Sequence, residues 1–210
     1  VGLALSAWLL FTHITIVHDR LKRKQGWRGL VADVRGNGRS FYGMVVAHLG
    51  VAIFAVGVTM VTNFEAEEDV RMSPGDSHEL AGYRFEFLGA VKAPGPNYRA
   101  DRGHFKVYKG DRQIADLYPE KRSYLAGGMP MTEASIDAGL FRDIYVSLGE
   151  HVGGGDWALR LYYKPYVRWI WLGAIFMSLG GILAITDRRY RTARARVTLP
   201  AGAATHAART

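Results

Sequence analysis

Two long apolar stretches, at residues 41–62 and 166–186, constrain the fold of this chain more than any other feature of its sequence. The first contains no Asp, Glu, Lys or Arg, and the second contains only Arg168, near its start. A helix needs about 20 mostly apolar residues to cross the hydrocarbon core of a bilayer. Both stretches reach that length, so we predict a transmembrane helix over each of them.

A shorter apolar stretch occupies residues 1–17, so in chain order residues 1–17, 41–62 and 166–186 are called the first, second and third spans below. It begins with Val1 rather than methionine, and its continuous apolar part, of roughly 15 residues, is short for a span. A signal peptide is disfavoured, because the basic n-region is missing and a Lys/Arg-rich run follows where a small-residue cleavage site should lie. We therefore expect residues 1–17 to be the end of a transmembrane helix that starts in a longer polypeptide.

The positive charge of the chain is concentrated in two short segments. Residues 18–40 carry seven Lys or Arg against two Asp, and residues 187–210 carry six Arg against one Asp. The long segment 64–168 carries 14 basic and 16 acidic residues. By the positive-inside rule, residues 18–40 are expected to be a cytoplasmic basic loop and residues 187–210 a cytoplasmic basic tail, with the middle segment outside. Because no folded face concentrates the charge, a nucleic-acid partner is disfavoured.

The segment between the second and third spans, residues 63–165, alternates with a period of two. Large apolar residues occupy the odd positions of Tyr83–Phe87, and charged residues occupy the even ones. Large apolar residues also occupy the odd positions of the stretch 157–163. This alternation predicts half-buried strands, and Gly110 lies where a hairpin turn is expected. We therefore predict a small antiparallel β barrel or sandwich of about 100 residues, a size that can bury its own core.

His48 is the residue that an apolar span accommodates least easily. It lies about two helical turns inside the second span, where an unsatisfied imidazole is costly. On a helix His48 shares a face with Ala52, Ala55 and Thr59, which are all small and leave room for a broad, flat group. A neutral imidazole is a good ligand for haem iron. The pattern thus allows either an axial haem ligand or a histidine that only packs.

Three glycines, Gly43, Gly50 and Gly57, follow one another at heptad spacing on the opposite side of the same helix, which favours close helix packing. The chain has no cysteine, so it offers no thiolate ligand. His13 is the candidate second ligand within the chain, because the first span runs the other way and brings it to a similar depth. The remaining histidines lack metal-ligand spacing and are interpreted as surface or interfacial residues: His18, His78, His104, His151 and His206.

An aromatic and basic cluster, at residues 162–171, opens the third span. Amphipathic rings and snorkelling cations favour the headgroup level of a membrane. The cluster is therefore interpreted as a membrane-interface anchor, with a docking surface for a partner or a flat ligand as the alternative.

Several short motifs follow one another between Gly43 and Arg191. They are Met44–Ala52, Asp69–Met72, Gly95–Arg99, Glu120–Arg122, Met131–Ala134, Leu161–Pro165 and Arg168–Trp171. In this order they resemble the C-terminal portion of the CcmF family of cytochrome c-type biogenesis proteins, which are haem lyase subunits.

The resemblance implies a multi-pass protein of the bacterial inner membrane whose large loop lies in the periplasm. It implies that His48 is an axial ligand of the iron of a transmembrane haem b, and that the other ligand lies upstream, so that His13 is a bystander. This haem is expected to reduce the haem that the periplasmic chaperone CcmE delivers for thioether attachment to the CxxCH motif of apocytochrome c. CcmH and CcmI are the further implied partners.

No catalytic residue is assigned to this chain, and haem lyase activity is expected only of the full-length protein in its complex. The alternative is a membrane-anchored docking module of the cytochrome c maturation complex that has no cofactor of its own. A paralogue that serves unusual haem-attachment motifs would share every motif named above.

Overall fold

The computed structural model describes residues 1–23, 29 and 38–187. They form two compact units, a helical unit made of residues 1–56 with those from Ile170 onward, and a β unit made of residues 57–169. Most of the two segments predicted to be basic and cytoplasmic, and His206 with them, lies outside the described residues.

The long described helices are α1 (Gly2–Arg23), α2 (Arg39–Phe64) and α3 (Val167–Ile185). Among the described residues, α2 and α3 are long and apolar enough to cross a membrane, judged by length and composition. Helix α1 falls outside that set, so its crossing stays a prediction. Helix α1 continues six residues beyond Val17. The Leu, Lys and Arg residues in this extension are good helix formers, although the extension as a whole is polar.

Helices α2 and α3 touch through pairs of glycines. A Cβ atom on Gly50 would lie 2.6 Å from the backbone of α3, and one on Gly173 would lie 2.6 Å from the backbone of α2. Gly43 and Gly180 make the equivalent pair one heptad away, in antiparallel register. The predicted role of the glycine stripe in close packing is confirmed at Gly43 and Gly50, since only a residue without a side chain permits this approach.

Two further contacts hold the N-terminal end of α2. The Arg20 guanidinium of α1 lies 4.1 Å from the ring centroid of Phe41. The Ser40 amide donates a hydrogen bond of 2.9 Å to Oδ2 of Asp187, a buried carboxylate just beyond α3. A carboxylate at this place satisfies an unpaired amide of the first helical turn and complements the positive end of the helix dipole.

The β unit is an antiparallel sandwich, which confirms the predicted strand-rich domain and decides between barrel and sandwich. One sheet has the order β1-β10-β9-β8, and the other has the order β2-β3-β4-β6-β7 with β5 also paired to β4. The strands are β1 Ala66–Met72, β2 Ser77–Leu80, β3 Tyr83–Pro94, β4 Tyr98–Lys109, β5 Arg112–Leu117, β6 Glu120–Tyr124, β7 Met131–Glu133, β8 Ser135–Ala138, β9 Arg142–Gly153 and β10 Asp156–Pro165.

The two sheets bury an apolar core between them. Phe85 and Phe87 of β3 pack with Phe105 of β4, and all three are fully buried. Leu159 and Leu161 of β10 also belong to the core. In both stretches where the sequence alternates, the odd-numbered residues therefore face inward. The predicted turn between β4 and β5 is also present, with Gly110 at a positive φ of 58°.

A buried carboxylate, Glu120, lies on β6 between two arginines. Nε of Arg102 lies 2.6 Å from Oε1 of Glu120, and Nε of Arg122 lies 2.7 Å from Oε2. Burial alone would raise the pKa of Glu120, but the hydrogen bonds from Arg122 and Arg102 outweigh it and hold the pKa below its ordinary value. The carboxylate is therefore ionised in the folded β unit at neutral pH.

Candidate functional site

The candidate site of the helical unit is a pair of histidines, one on α1 and one on α2. The ring centroids of His13 and His48 lie 4.8 Å apart, and the ring planes meet at 28°. The antiparallel direction of the two helices brings the rings together, one heptad from the contact of Arg20 with Phe41. Both side chains are half-buried.

Each imidazole is oriented by its own helix. Nδ1 of His48 lies 2.8 Å from the carbonyl oxygen of Met44, and Nδ1 of His13 lies 2.8 Å from that of Leu9. A carbonyl only accepts, so Nδ1 carries the proton and donates it in both cases. In the neutral ring Nε2 then carries a free lone pair, the form in which histidine ligates a metal while its other nitrogen is hydrogen-bonded.

The histidines line an apolar cavity of about 420 Å³ between α1 and α2. This volume lies within the range of small-molecule and cofactor sites. The cavity is lined by Leu9, Leu10, His13, Ile14, Val17, His18, Val45, His48 and Leu49. Hydrophobic walls with a few imidazoles are the chemistry that a b-type haem requires, an apolar environment for the macrocycle and a nitrogen for the iron.

The cavity does not run along the face of α2 that the sequence singled out. Ala52, one turn beyond His48, is 1% exposed, so the helix surface is already covered there. The residues of α2 that line the open space are instead Val45, His48 and Leu49. The expectation that Ala52, Ala55 and Thr59 leave room for a flat group is therefore wrong at Ala52, because small residues also let a neighbouring helix come close.

His13 and His48 are not placed as two axial ligands of one iron. Two metal–nitrogen bonds of about 2 Å each, on opposite sides of a metal, put the ring centroids about 6 Å apart. At 4.8 Å the two rings are closer than that. One of these histidines can face a metal in this arrangement, while the other packs against its ring.

The structure also places His18 at this cavity, which the sequence interpretation missed. His13 and His18 are five residues apart, about 140° around a helix, so periodicity does not put them on one face. His18 Nδ1 lies 3.8 Å from a carboxylate oxygen of Asp19. Among the described residues, no group of three or more His, Cys, Asp or Glu side chains is arranged to hold a metal ion.

The histidines of the β unit pair with its own residues. His78 Nε2 lies 2.6 Å from Oε2 of Glu68, and His104 Nε2 lies 3.0 Å from Oδ1 of Asp116. His104 and His151 line an open groove of about 910 Å³ on the sandwich. His78 and His104 have carboxylate partners, as surface histidines commonly do, and His151 packs edge-on against the ring of Trp157.

Known proteins share both the sequence and the fold of this chain. Residues 63–165 match the family model of the CcmF C-terminal beta-sandwich. The cytochrome c-type biogenesis protein CcmF of Pseudomonas aeruginosa is 48% identical over 187 residues, which cover 89% of this chain and 28% of that protein. The protein of the same name from Pseudomonas fluorescens is 45% identical over 203 residues, 95% of this chain and 30% of that protein.

The chain belongs to the CcmF family. A solved structure of the cytochrome c haem lyase CcmF superposes with a TM-score of 0.60 over 71% of this chain and 25% of that one, at 18% identity, which shows a shared fold. The chain spans a little under a third of the length of the CcmF relatives it matches. Its family is thus one of cytochrome c-type biogenesis proteins, as the sequence motifs predicted.

Proposed function

We propose that this chain supplies one axial ligand, His48, to a transmembrane haem b within a cytochrome c haem lyase of the inner membrane. The observation that carries the proposal is the Nδ1 hydrogen bond of His48 to the Met44 carbonyl, since it leaves Nε2 free beside an apolar cavity. The motifs around His48 resemble those of the family to which the chain belongs.

The residues of the helical unit bind and orient rather than react. The Met44 carbonyl fixes the tautomer and the ring orientation of His48. The leucine, isoleucine and valine side chains make the walls of the cavity apolar. A haem held by His48 would supply one-electron redox chemistry, the chemistry that reduction of the haem delivered by CcmE would need before attachment to apocytochrome c.

The second axial ligand lies outside this chain in our proposal. The distance between the rings of His13 and His48 is too short for both to ligate one iron. We assign His13 a packing role, in which its ring covers one face of the His48 ring. The β unit is proposed to lie in the periplasm, where its surface is available to CcmE, to CcmH and CcmI, and to apocytochrome c.

A second candidate function is a docking module without a cofactor. The observation that favours it is the same ring contact, because the His48 ring packs on His13 and its Nδ1 donates to the Met44 carbonyl without any metal. The two functions differ in whether haem remains with the protein when His48 is removed.

The test compares three variants of the full-length protein, purified in detergent with its complex: His48→Ala, His13→Ala and, as a matched control, His78→Ala in the β unit. Haem per protein is measured by the pyridine haemochrome method, together with the reduced-minus-oxidised spectrum. We expect His48→Ala to lose most of the b-type haem or to change its spectrum, and the other two variants to retain both. Unchanged haem content and spectrum in His48→Ala would favour the docking module.

A further inference from the structure

The loop between β8 and β9 holds two large apolar side chains outward. Leu140 is 56% exposed and Phe141 is 55% exposed, although the core of the sandwich lies close by. Exposed residues of this size, next to each other at one end of a domain, are typical of a contact surface rather than of a solvated turn.

Hydrogen bonds fix this loop, so the exposure is not a result of fraying. The Gly139 amide donates to the carbonyl oxygen of Arg142 and to Oδ1 of Asp143, each at 2.9 Å. Asp143 itself is buried. The Tyr166 amide donates to the carbonyl oxygen of Phe141 at 3.0 Å, which ties the loop to the residue that precedes α3.

The same loop packs against the first turn of α3. The ring centroid of Phe141 lies 5.8 Å from that of Tyr166 and 6.2 Å from that of Trp169. Arg168 Nε lies 3.6 Å from Oδ1 of Asp143. Phe141 is therefore at the level of the first turn of α3.

The first turn of a membrane-spanning helix lies at the headgroup level when it carries aromatic and basic residues, as α3 does with Trp169 and Arg168. A side chain held against that turn lies at the same depth. We propose that the loop of residues 139–141 inserts into the membrane–water interface, with Leu140 and Phe141 in contact with lipid. The proposal rests on the membrane crossing of α3, which belongs to the proposed function, but not on haem binding.

A second exposed apolar loop provides a matched control. Leu125, between β6 and β7, is 67% exposed, and its amide donates to the carbonyl oxygen of Asn97 beyond the far end of β3. The near end of β3 is Tyr83, whose ring stacks at 5.7 Å on that of Tyr163. Twelve residues at about 3.3 Å each separate the two ends of β3 by roughly 35 Å. Leu125 is thus equally apolar and exposed, but far from the start of α3.

The test uses single cysteines labelled with an environment-sensitive fluorophore, at Leu140→Cys and at the control Leu125→Cys. This chain has no cysteine of its own, and any outside it are replaced first. The full-length protein is reconstituted in phosphatidylcholine vesicles that contain lipids spin-labelled near the headgroup. We expect the probe at position 140 to be quenched several-fold more than the probe at position 125. A third probe, at Ile175→Cys in the middle of α3, reports with a deep spin label whether α3 crosses the membrane.

Equal quenching at positions 140 and 125, with quenching at 175, would overturn the loop proposal and leave the span intact. Absence of quenching at 175 would overturn both. Protection of position 140 from a water-soluble maleimide without lipid quenching would mean that protein covers the loop, which also contradicts the proposal. Phe141→Cys gives a second reading of the loop if Leu140→Cys reduces the yield of folded protein.

Discussion

The two units of this protein place their largest side chains in opposite ways. In the β unit Phe85 and Phe105 are fully buried, whereas in the helical unit Phe11 is 73% exposed and Trp171 is 70% exposed. The contacts inside the helical unit are made instead by glycines such as Gly50. Burial of large apolar side chains drives folding in water, but lipid tails are as apolar as leucine, so helices in a bilayer associate by close backbone packing. The β unit thus packs as a domain in water does, and the packing of the helical unit supports the proposal that it lies in a bilayer.

The largest effect is expected from the core of the β unit. Phe85→Ala removes a fully buried ring and leaves a cavity, and should lower the free energy of unfolding of the sandwich by about 3–5 kcal/mol. Hydrogen exchange of the β3 and β4 amides in the purified protein measures this loss. Leu125→Ala, at an exposed position of the same unit, should change it by less than about 0.5 kcal/mol. Similar losses in the two variants would mean that the sandwich core is not formed as described.

A smaller effect is expected from the buried carboxylate of the same unit. Glu120→Gln leaves Arg102 and Arg122 without their anion and should cost about 2 kcal/mol, less than for a fully buried pair because Arg102 is half exposed. The pKa of Glu120 is lower in the folded unit than in the unfolded chain. Its contribution is therefore complete above the ordinary pKa of glutamate and disappears as the pH falls through the lowered pKa of the folded unit.

The pH dependence of unfolding in the wild type and in Glu120→Gln measures this effect. The difference in stability between the two should be constant near neutral pH and should shrink at acid pH. A difference that grows as the pH falls would contradict the assigned direction of the pKa.

The smallest effect on stability is expected in the helical unit, where two adjacent glycines give a matched pair. A Cβ on Gly180 would overlap the backbone of Ala47 in α2, whereas one on Gly181 would meet open space. Gly180→Ala should therefore cost about 1–2 kcal/mol through separation of α2 and α3. Gly181→Ala should be neutral or stabilising by up to about 1 kcal/mol, because alanine is the better helix former. Thermal unfolding in detergent compares them, and equal effects would mean that α2 and α3 do not touch at these glycines.

The sequence predicted those parts of the fold that depend on local periodicity. Alternation placed Phe85 and Leu161 in the core, and heptad spacing placed Gly43 and Gly50 against another helix. Features that depend on tertiary packing were not predicted. Among them are the burial of Ala52 and the packing of Phe141 on Trp169. The sequence shows that Ala52 is small and that Phe141 is aromatic, but it does not show which residues surround them in the fold.

The candidate site was predicted in part. The opposite directions of the first two spans predicted that His13 and His48 lie at a similar depth, and the structure places their rings in contact. The ring separation and the Nδ1 hydrogen bonds could not be read from spacing, since they depend on side-chain rotamers and on how closely α1 and α2 approach each other. His18 was missed because its position on α1 differs by about 140° from that of His13.

The central claim, that His48 ligates the iron of a haem b in the bilayer, is tested most directly by chemical rescue. His48→Gly in the full-length protein removes the imidazole and leaves a space that free imidazole can enter, and the coordination state of the haem is followed by absorption and electron paramagnetic resonance. The account predicts that His48→Gly loses the six-coordinate low-spin signature and that added imidazole restores it, while His13→Gly retains the signature without imidazole. A low-spin signature that is unchanged in His48→Gly, or that disappears only in His13→Gly, would contradict the account.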